Sequence, residues 1–433
     1  MGREIMVLLE NLNHDQVGVR LESLRRLKQL IGAGKIPRPI ANGNYVNNHI
    51  HTTYSFSPYS PAKAVWMAYN AGLTTAGIMD HDSLSGAEEF IEAGKIIGIA
   101  TTIGFECRVD MSKTILNGRR INNPDQSSVI YMALHSIPHQ MIPTVQKFLI
   151  PYLEERNHRN RLMTERINTL FKPYRIRLDF DQDIVPLSRS SEGGSITERH
   201  ILFALTQKLI AAYGKGKGLL SFLKDDFKLK ISPKQEIFLT DTANPYYEYD
   251  LLGVLKSELV SSFYIDATAE CPDVRELIDL SNRIGAISAY AYLGDVGDSV
   301  TGDKKAQKFE DGFLELLFET IKELKFNAVT YMPSRNSSAQ LQRVKTLCEQ
   351  FGFFQISGED INSPRQSFVC DALLKPEFQN LIDSTWALIG HEKTATQDIR
   401  NGMFSEKTLR QYPDLNERIQ VFKEIGLKAK MPV

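Results

Sequence analysis

The segment His49-Ile50-His51-Thr52-Thr53-Tyr54 closes a run, YVNNHIHTTY, that reads as a β-strand. Side chains alternate along a strand, so His49 and His51, two apart, project both imidazoles from one face. TTAGIMDHD reads as a second strand, with His81 between Asp80 and Asp82 at its end. TTIGFECRV, a third, carries Glu106 just after Gly104, and SSVIYMAL, a fourth, is closed by His135. Pro61 to Ala71 reads as a helix opened by a proline, and Ser85 to Ile97 as one with Ser85 as N-cap and Glu88 completing a capping box. Strands separated by single helices argue for βα units and a parallel sheet or barrel, whose strand ends gather at one functional rim. Four strand ends bearing imidazole or carboxylate groups suit zinc, manganese or iron, with carboxylates able to bridge ions. Each signal alone is weak: His-x-His is common, and Asp-His-Asp at a strand end is often a capped turn. The ordered series is not explained as solvated surface.

Outward from this core, residues 1–43 form an arm whose stretch 15–31 has Val17, Leu21, Leu24, Leu27 and Ile31 at helical spacing, with Arg20, Arg25, Arg26 and Lys28 off that stripe. Such an arm docks on its own domain or on a sister subunit, so a homodimer through it is one expectation. Residues 44–137 hold the strand series. Residues 138–262 change texture to helical patterns (Met141–Phe171, Ile196–Tyr213, Tyr246–Phe263) broken by SRSSEGGS and GKGKG. The βα rhythm resumes over 263–375, with strands AISAYAYL, FNAVTYMP and FFQISGED between helices Asp273–Ile284, Phe309–Leu324 and Leu341–Phe351. Residues 376–433 read as a helical extension. One discontinuous α/β domain with a helical insertion is the expected organisation.

Composition narrows the function classes. Lys plus Arg number 51 and Asp plus Glu 52, a net charge of -1, which argues against a polycation built for nucleic acid. The apolar runs fall short of the roughly 18 residues a membrane span needs. The N-terminus has no signal-peptide pattern, and four dispersed cysteines give neither a disulfide framework nor a cysteine zinc knot. A cytoplasmic protein is the expectation.

HIHTTYS, GIMDHDS and IGFECRVD, at these spacings, resemble the first three motifs of the polymerase and histidinol phosphatase (PHP) family, closest to its small phosphoesterases with a helical insertion. The resemblance covers roughly residues 44–370. It implies a distorted (β/α)7 barrel, one to three divalent ions (Zn, Mn or Fe), and a metal-activated hydroxide attacking a phosphate ester. Carried over by position, it implies His49, His51, His81 and Glu106 as metal ligands, with Asp80 beside them. SGEDIN resembles the family's terminal Gly-Ser-Asp-x-His segment, which adds Asp360. Glu106, His81 and Asp360 would also serve catalysis. TERHILFAL resembles the family's Arg-x-His-Ile-Ala-x-Ala-Leu helix, so His200 is expected to face substrate. Phe56 stands where many members have an aspartate, Tyr292 replaces the histidine of an Ala-His-Pro strand end, and Asn362 replaces the last histidine. The fourth ligand is His135 or, in another alignment of YMALHSI, Tyr131. Neutral tyrosine and asparagine are poor ligands beside imidazole, so a one- or two-metal site is expected.

Binding the substrate's phosphate calls for further polar groups, and YMPSRNSS places Arg335 and Asn336 directly after a strand, while NSPRQS places Arg365 beyond Asp360. The leading function is a metal-dependent phosphoesterase for a small phosphorylated metabolite or nucleotide. The alternatives are a catalytically weakened ligand-binding or regulatory protein of the same fold, and an exonuclease, which the near-neutral charge disfavours.

Overall fold

The computed structural model describes residues 2–296 and 307–429, in which seven strands form one sheet in chain order: β1 (Val46–Ile50), β2 (Thr75–His81), β3 (Ala100–Asp110), β4 (Val129–His135), β5 (Ile287–Ala291), β6 (Ala328–Thr330) and β7 (Phe354–Ile356). The sheet is not wholly parallel as the sequence pattern implied. β1–β2–β3 and β5–β6–β7 are parallel, but β4 runs antiparallel to both β3 and β5. The reason is the connection: residues 111–128 contain no helix to carry the chain back across the sheet, so β4 returns directly.

The sheet curls into a half-barrel whose two edges meet through the segment after β7. His51 N donates to Ile361 O at 2.9 Å, and Ile361 N donates to His49 O at 3.1 Å, a single parallel bridge. The Asn47 amide braces the same seam, accepting from His49 N and Glu359 N and donating to Glu359 O. Asn48 Nδ2 reaches Ser357 O at 2.8 Å.

Helices Pro61–Asn70, Ala87–Ile97, Val274–Ile284, Leu314–Glu323 and Ser338–Phe351 pack their apolar faces outside the sheet. The predicted Ser85 capping box does not form. That helix starts at Ala87 after Gly86, and Ser85 Oγ instead donates to Gly193 O of the insertion. The arm's helix Val17–Gly32 lies on this layer, where buried Arg20 grips Glu89 with two hydrogen bonds. A further helix, Arg3–Asn11, precedes it.

Between β4 and β5 the insertion runs through helices Ile142–Phe171, Glu198–Tyr213, Lys217–Ser221, Pro233–Thr240 and Tyr247–Phe263. It has its own core, in which Ile167, Phe171, Leu205 and Phe263 are buried. Phe56 belongs to this core rather than to the barrel's. The extension contributes helices Gln379–Gln397 and Leu415–Ala429. The first fills the concave side of the sheet, where Met79, Ala133, Ala289 and Phe354 meet Ala387 and Leu388. No helix among the described residues is long and apolar enough to cross a membrane.

Helices Gln379–Gln397 and Leu415–Ala429 cross at Gly390 and Gly426, where a Cβ on Gly390 would strike the Phe422 carbonyl and one on Gly426 the Trp386 carbonyl. Gly390→Ala should therefore push the helices apart and lower stability by about 1–3 kcal/mol, the usual cost of overpacking. A urea midpoint unchanged from wild type would contradict this.

Candidate metal centre

Alternation along the parallel strands decides which side chains meet. His49 leaves the concave face of β1, and His51 follows two residues on. β2 and β3 are in register with His81 opposite Glu106, so both strand ends reach the same level. Asp360 arrives from the far edge because the seam sets residues 359–361 against β1. The result is a convergence on one carboxylate oxygen. Glu106 Oε1 lies 3.4 Å from His49 Nε2, 3.4 Å from His51 Nε2 and 3.1 Å from His81 Nδ1. His51 Nε2 is also 3.1 Å from Asp360 Oδ1.

These spacings fit a cation. Four ligand atoms about 2.1 Å from one ion in tetrahedral array are about 3.4 Å from each other. His49, His51 and Glu106 each offer a ligand atom, all within 4.8 Å of one another. His49 Nε2 and His51 Nε2 are buried without a hydrogen-bond partner among the described residues, which is costly unless something else answers them. The site is open on one side: the side chains of Asp360 and His81 are 40% and 26% exposed, against 1% for His51.

The electrostatics follow from this crowding. Burial pushes the His49 imidazole down, but Glu106, Asp360 and Glu359 outweigh it and raise its pKa to about 8. Burial, reinforced by His51 and Arg156, instead takes His81 down to about 3. Burial disfavours the Glu106 charge, yet His81, His49 and His51 together hold its pKa at about 2. Asp360 is likewise held well below the carboxylate range, against burial, by His51 and His49. Both acids are thus anionic at neutral pH, as ligands for a cation must be.

Asp80 is placed differently from its neighbours. One of its oxygens accepts from Thr52 N and Ser55 Oγ and the other from Thr52 Oγ1, all at 2.6 Å. Ser55 Oγ in turn lies 3.3 Å from His51 Nδ1. The carboxylate is enclosed by the loop after β1 and steadies the His51 ring from behind. Asn362 Nδ2 donates to Asp360 Oδ1 at 2.6 Å, so it touches the cluster through that acid.

Because β4 is reversed, it runs down from the rim: Ala133 lies opposite Glu106 and Leu134 opposite Phe105, which sets His135 level with Gly104, two residues below Glu106. His135 pairs with Ile287 at the start of β5, and its buried Nε2 has no hydrogen-bond partner among the described residues. The residue of β4 at the open rim is Tyr131, opposite Arg108 and 5.8 Å ring to ring from His81. On β5, Tyr290 and Tyr292 point outward, hydrogen-bonded to Glu310 and Asp311, while Ala289 lines the concave face. Ala291 shares that inward face, so Tyr292 is not in a ligand position.

The expected substrate-binding residues scatter. Arg365 is engaged by Asp250 at 2.7 and 2.8 Å and lies over the Phe238 ring at 4.0 Å, tying the insertion to the barrel. Asn336 Nδ2 donates to Leu293 O at 2.8 Å and joins two strand-end loops. Arg335 is half-buried in the turn after β6, next to Ser334, which donates to Glu359. His200 is buried on the first turn of helix Glu198–Tyr213, accepting from Thr197 N, with its ring 5.0 Å from Phe56.

Sequence reasoning missed a buried charge network where insertion meets rim. Arg108 of β3 pairs with Glu198 at 2.6 Å and Glu270 at 2.9 Å. Arg159 pairs with both acids as well, and Arg156 pairs with Asp82 and Glu198. Its members lie up to 188 positions apart by number, from Asp82 to Glu270, and no local motif joins them.

Residues 47–326 match the sequence model of the PHP domain. Among solved structures, the chain is similar to a protein from Bifidobacterium adolescentis provisionally named a metal-dependent phosphoesterase. The match has a TM-score of 0.50 at 17% identity and covers 78% of this chain and 96% of that one. It is also similar to an amidohydrolase from Chromobacterium violaceum, solved with bound sulfate and no metal. There the TM-score is 0.50 at 15% identity, over 75% of this chain and 90% of that one. These likenesses show the fold. No curated protein sequence matches the chain.

The contrast between Glu106 and Asp80 is measurable. Glu106→Ala should abolish binding of zinc or manganese. Asp80→Asn should weaken affinity about 10–100-fold, as loss of an outer support does, with stoichiometry restored at saturating metal. Metal titration followed by elemental analysis separates the two; equal loss in both variants would make Asp80 a direct ligand.

Proposed function

The chain belongs to the PHP domain family, and from that membership we propose that it is a metal-dependent hydrolase cleaving phosphate esters of small metabolites or nucleotides. One observation carries the reading: two buried imidazole nitrogens, His49 Nε2 and His51 Nε2, without a hydrogen-bond partner among the described residues and each 3.4 Å from one oxygen of Glu106. In this reading His49, His51, Glu106 and Asp360 hold a single divalent ion. What supports one ion rather than three is the set of neighbours. Tyr131 and Ala291 face the barrel interior near Glu106, Phe56 is taken into the insertion's core, and Asn362 offers only an amide. None of these competes with imidazole as a ligand.

A divalent ion at this position would polarise a phosphoryl oxygen and lower the pKa of water toward about 7. The chain's own groups do the rest. His81 points Nδ1 at Glu106, which leaves Nε2 of the neutral ring as a hydrogen-bond acceptor on the more exposed side of the cluster. Asp80 and Ser55 hold the His51 ring in one orientation. Asn362 restrains Asp360, the most exposed of the acids in the cluster. Phe56, in the loop after β1, packs edge-on against His200 of the insertion with 5.0 Å between the rings, which ties the insertion to the loop that carries the His51 supports.

A second reading, a ligand-binding or regulatory protein with weakened catalysis, is favoured by the same replaced positions. The experiment is phosphate release from a panel of nucleotides and sugar phosphates with manganese- or zinc-saturated protein. Wild type should release phosphate, and His51→Ala and Glu106→Gln should each lower kcat about a hundredfold or more. Binding of a phosphorylated ligand without release by wild type would favour the second reading.

A further inference from the structure

The turn between the arm's two helices is fastened from beneath. Leu12 is buried with the helices outside the sheet. Buried Arg20, besides gripping Glu89, donates from Nη1 to His14 O at 2.6 Å and to Asp15 O at 2.9 Å. The turn held in this way meets the loop after β1. Asn13 Nδ2 donates to Pro58 O at 2.8 Å, and Asn13 Oδ1 accepts from Ser60 N at 2.9 Å. Ser60 Oγ donates to Leu12 O, and the same hydroxyl caps helix Pro61–Asn70 by accepting from Lys63 N at 3.1 Å. One carboxamide of the arm therefore grips the backbone on both sides of Tyr59.

At Tyr59 the loop folds back on itself, its carbonyl accepting from Thr53 N at 2.9 Å. Next to Thr53, Thr52 gives its amide and hydroxyl to Asp80. Ser55 gives its hydroxyl to Asp80 as well, and that Oγ lies 3.3 Å from His51 Nδ1. Short peptide segments and hydrogen bonds thus join Asn13 to the His51 ring. The insertion holds the loop from its other flank, where Ser195 N donates to Tyr54 O at 2.8 Å.

We propose that Asn13 is a positioning residue of the metal centre: through it the arm keeps the loop after β1 in the form that lets Ser55 and Asp80 fix the His51 imidazole. The proposal rests on the metal-binding part of the reading above and is indifferent to which ester is cleaved. Asn13 lies outside residues 47–326, the part of the chain that matches the PHP domain, so the matched part alone does not contain this support. Asparagine suits the position because its carboxamide sets a donor beside an acceptor, the pair that a peptide backbone asks for. A ring already aimed loses less freedom when an ion binds than one that must first be brought to order. Asn13 itself is exposed, so its two bonds add little to global stability and act chiefly on where the loop rests.

The test uses the full chain with cobalt(II) as the probe. Wild type should bind cobalt, and Glu106→Ala should not. Asn13→Ala should weaken cobalt binding about threefold to tenfold, less than the loss of a partner in direct contact with a ligand, with full stoichiometry at saturation. The urea midpoint of the metal-free variant should match wild type. Hydrogen exchange over residues 52–60 should speed up in metal-free Asn13→Ala and slow again once cobalt is bound, a metal-linked change that a merely structural role would not produce. Arg25→Ala, which removes the arm's contact with Glu92 on helix Ala87–Ile97, should change neither affinity nor exchange in the loop.

Cobalt affinity unchanged in Asn13→Ala overturns the proposal. So does an equal loss in Arg25→Ala, or exchange over 52–60 that is no faster than in wild type. A wild type that binds no cobalt, or binding that survives Glu106→Ala, overturns the metal centre and this inference with it. Cobalt held through Glu106 but indifferent to Asn13 overturns this inference alone.

Discussion

Two backbone hydrogen bonds, from His51 N to Ile361 O and from Ile361 N to His49 O, close the curled sheet upon itself. Between β1 and the segment after β7 there is no longer ladder, so the side-chain amides of Asn47 and Asn48 supply the remaining contacts. The seam runs through the two histidines themselves. The same peptide units that aim the imidazoles inward also draw Asp360 beside them, from more than 300 residues away. Any change that loosened this edge would separate Asp360 from His51 before it disturbed the core, because the hydrophobic layers on either side of the sheet are complete without it.

The second constraint is electrostatic. Three imidazoles and two carboxylates share a small volume, and burial alone would discharge all of them. The structure resolves the conflict unevenly. Both acids stay ionised, His49 gains basicity and His81 loses it. The two buried Nε2 atoms of His49 and His51 have no hydrogen-bond partner among the described residues. The loop after β1 is built to tolerate this, with Asp80 absorbing three donors that would otherwise compete for the histidines.

How much of this was legible beforehand depends on whether a residue's position follows from its own strand. His49, His51, His81 and Glu106 lie on parallel strands, where alternation and strand ends suffice to bring them together. His135 does not, because strand direction is not written in a strand's own pattern. The helix-free connection of residues 111–128 was the available signal. Tyr292 was misjudged by one residue, and one residue is enough to exchange the two faces of a strand. Asp360 was found only through the resemblance of its segment to a family motif. The arginine network depends on how the insertion lies on the rim, and tertiary packing of that kind leaves no trace in local spacing. The helical insertion was expected, yet its short helices Lys217–Ser221 and Pro233–Thr240 were not, since each is too brief to establish a periodicity.

The reversal of β4 also sets the dimensions of the insertion. The chain leaves β4 at the foot of the barrel, while the residues it must deliver belong at the top. Helix Ile142–Phe171 makes the climb, and its 30 residues correspond to about 45 Å of rise. Arg156 and Arg159 sit midway along it, level with Asp82 and Glu270. The lower half of this helix therefore keeps phase as well as distance. Adding one residue below Arg156 would rotate everything above by about 100° and lift it about 1.5 Å, turning both guanidinia off their acids. Length changes in that half are tolerable only in near-whole turns, much as a threaded rod can be reset only by full revolutions. Loops at the insertion's far end, beyond the last of these contacts, carry no such periodicity and are free to vary in length.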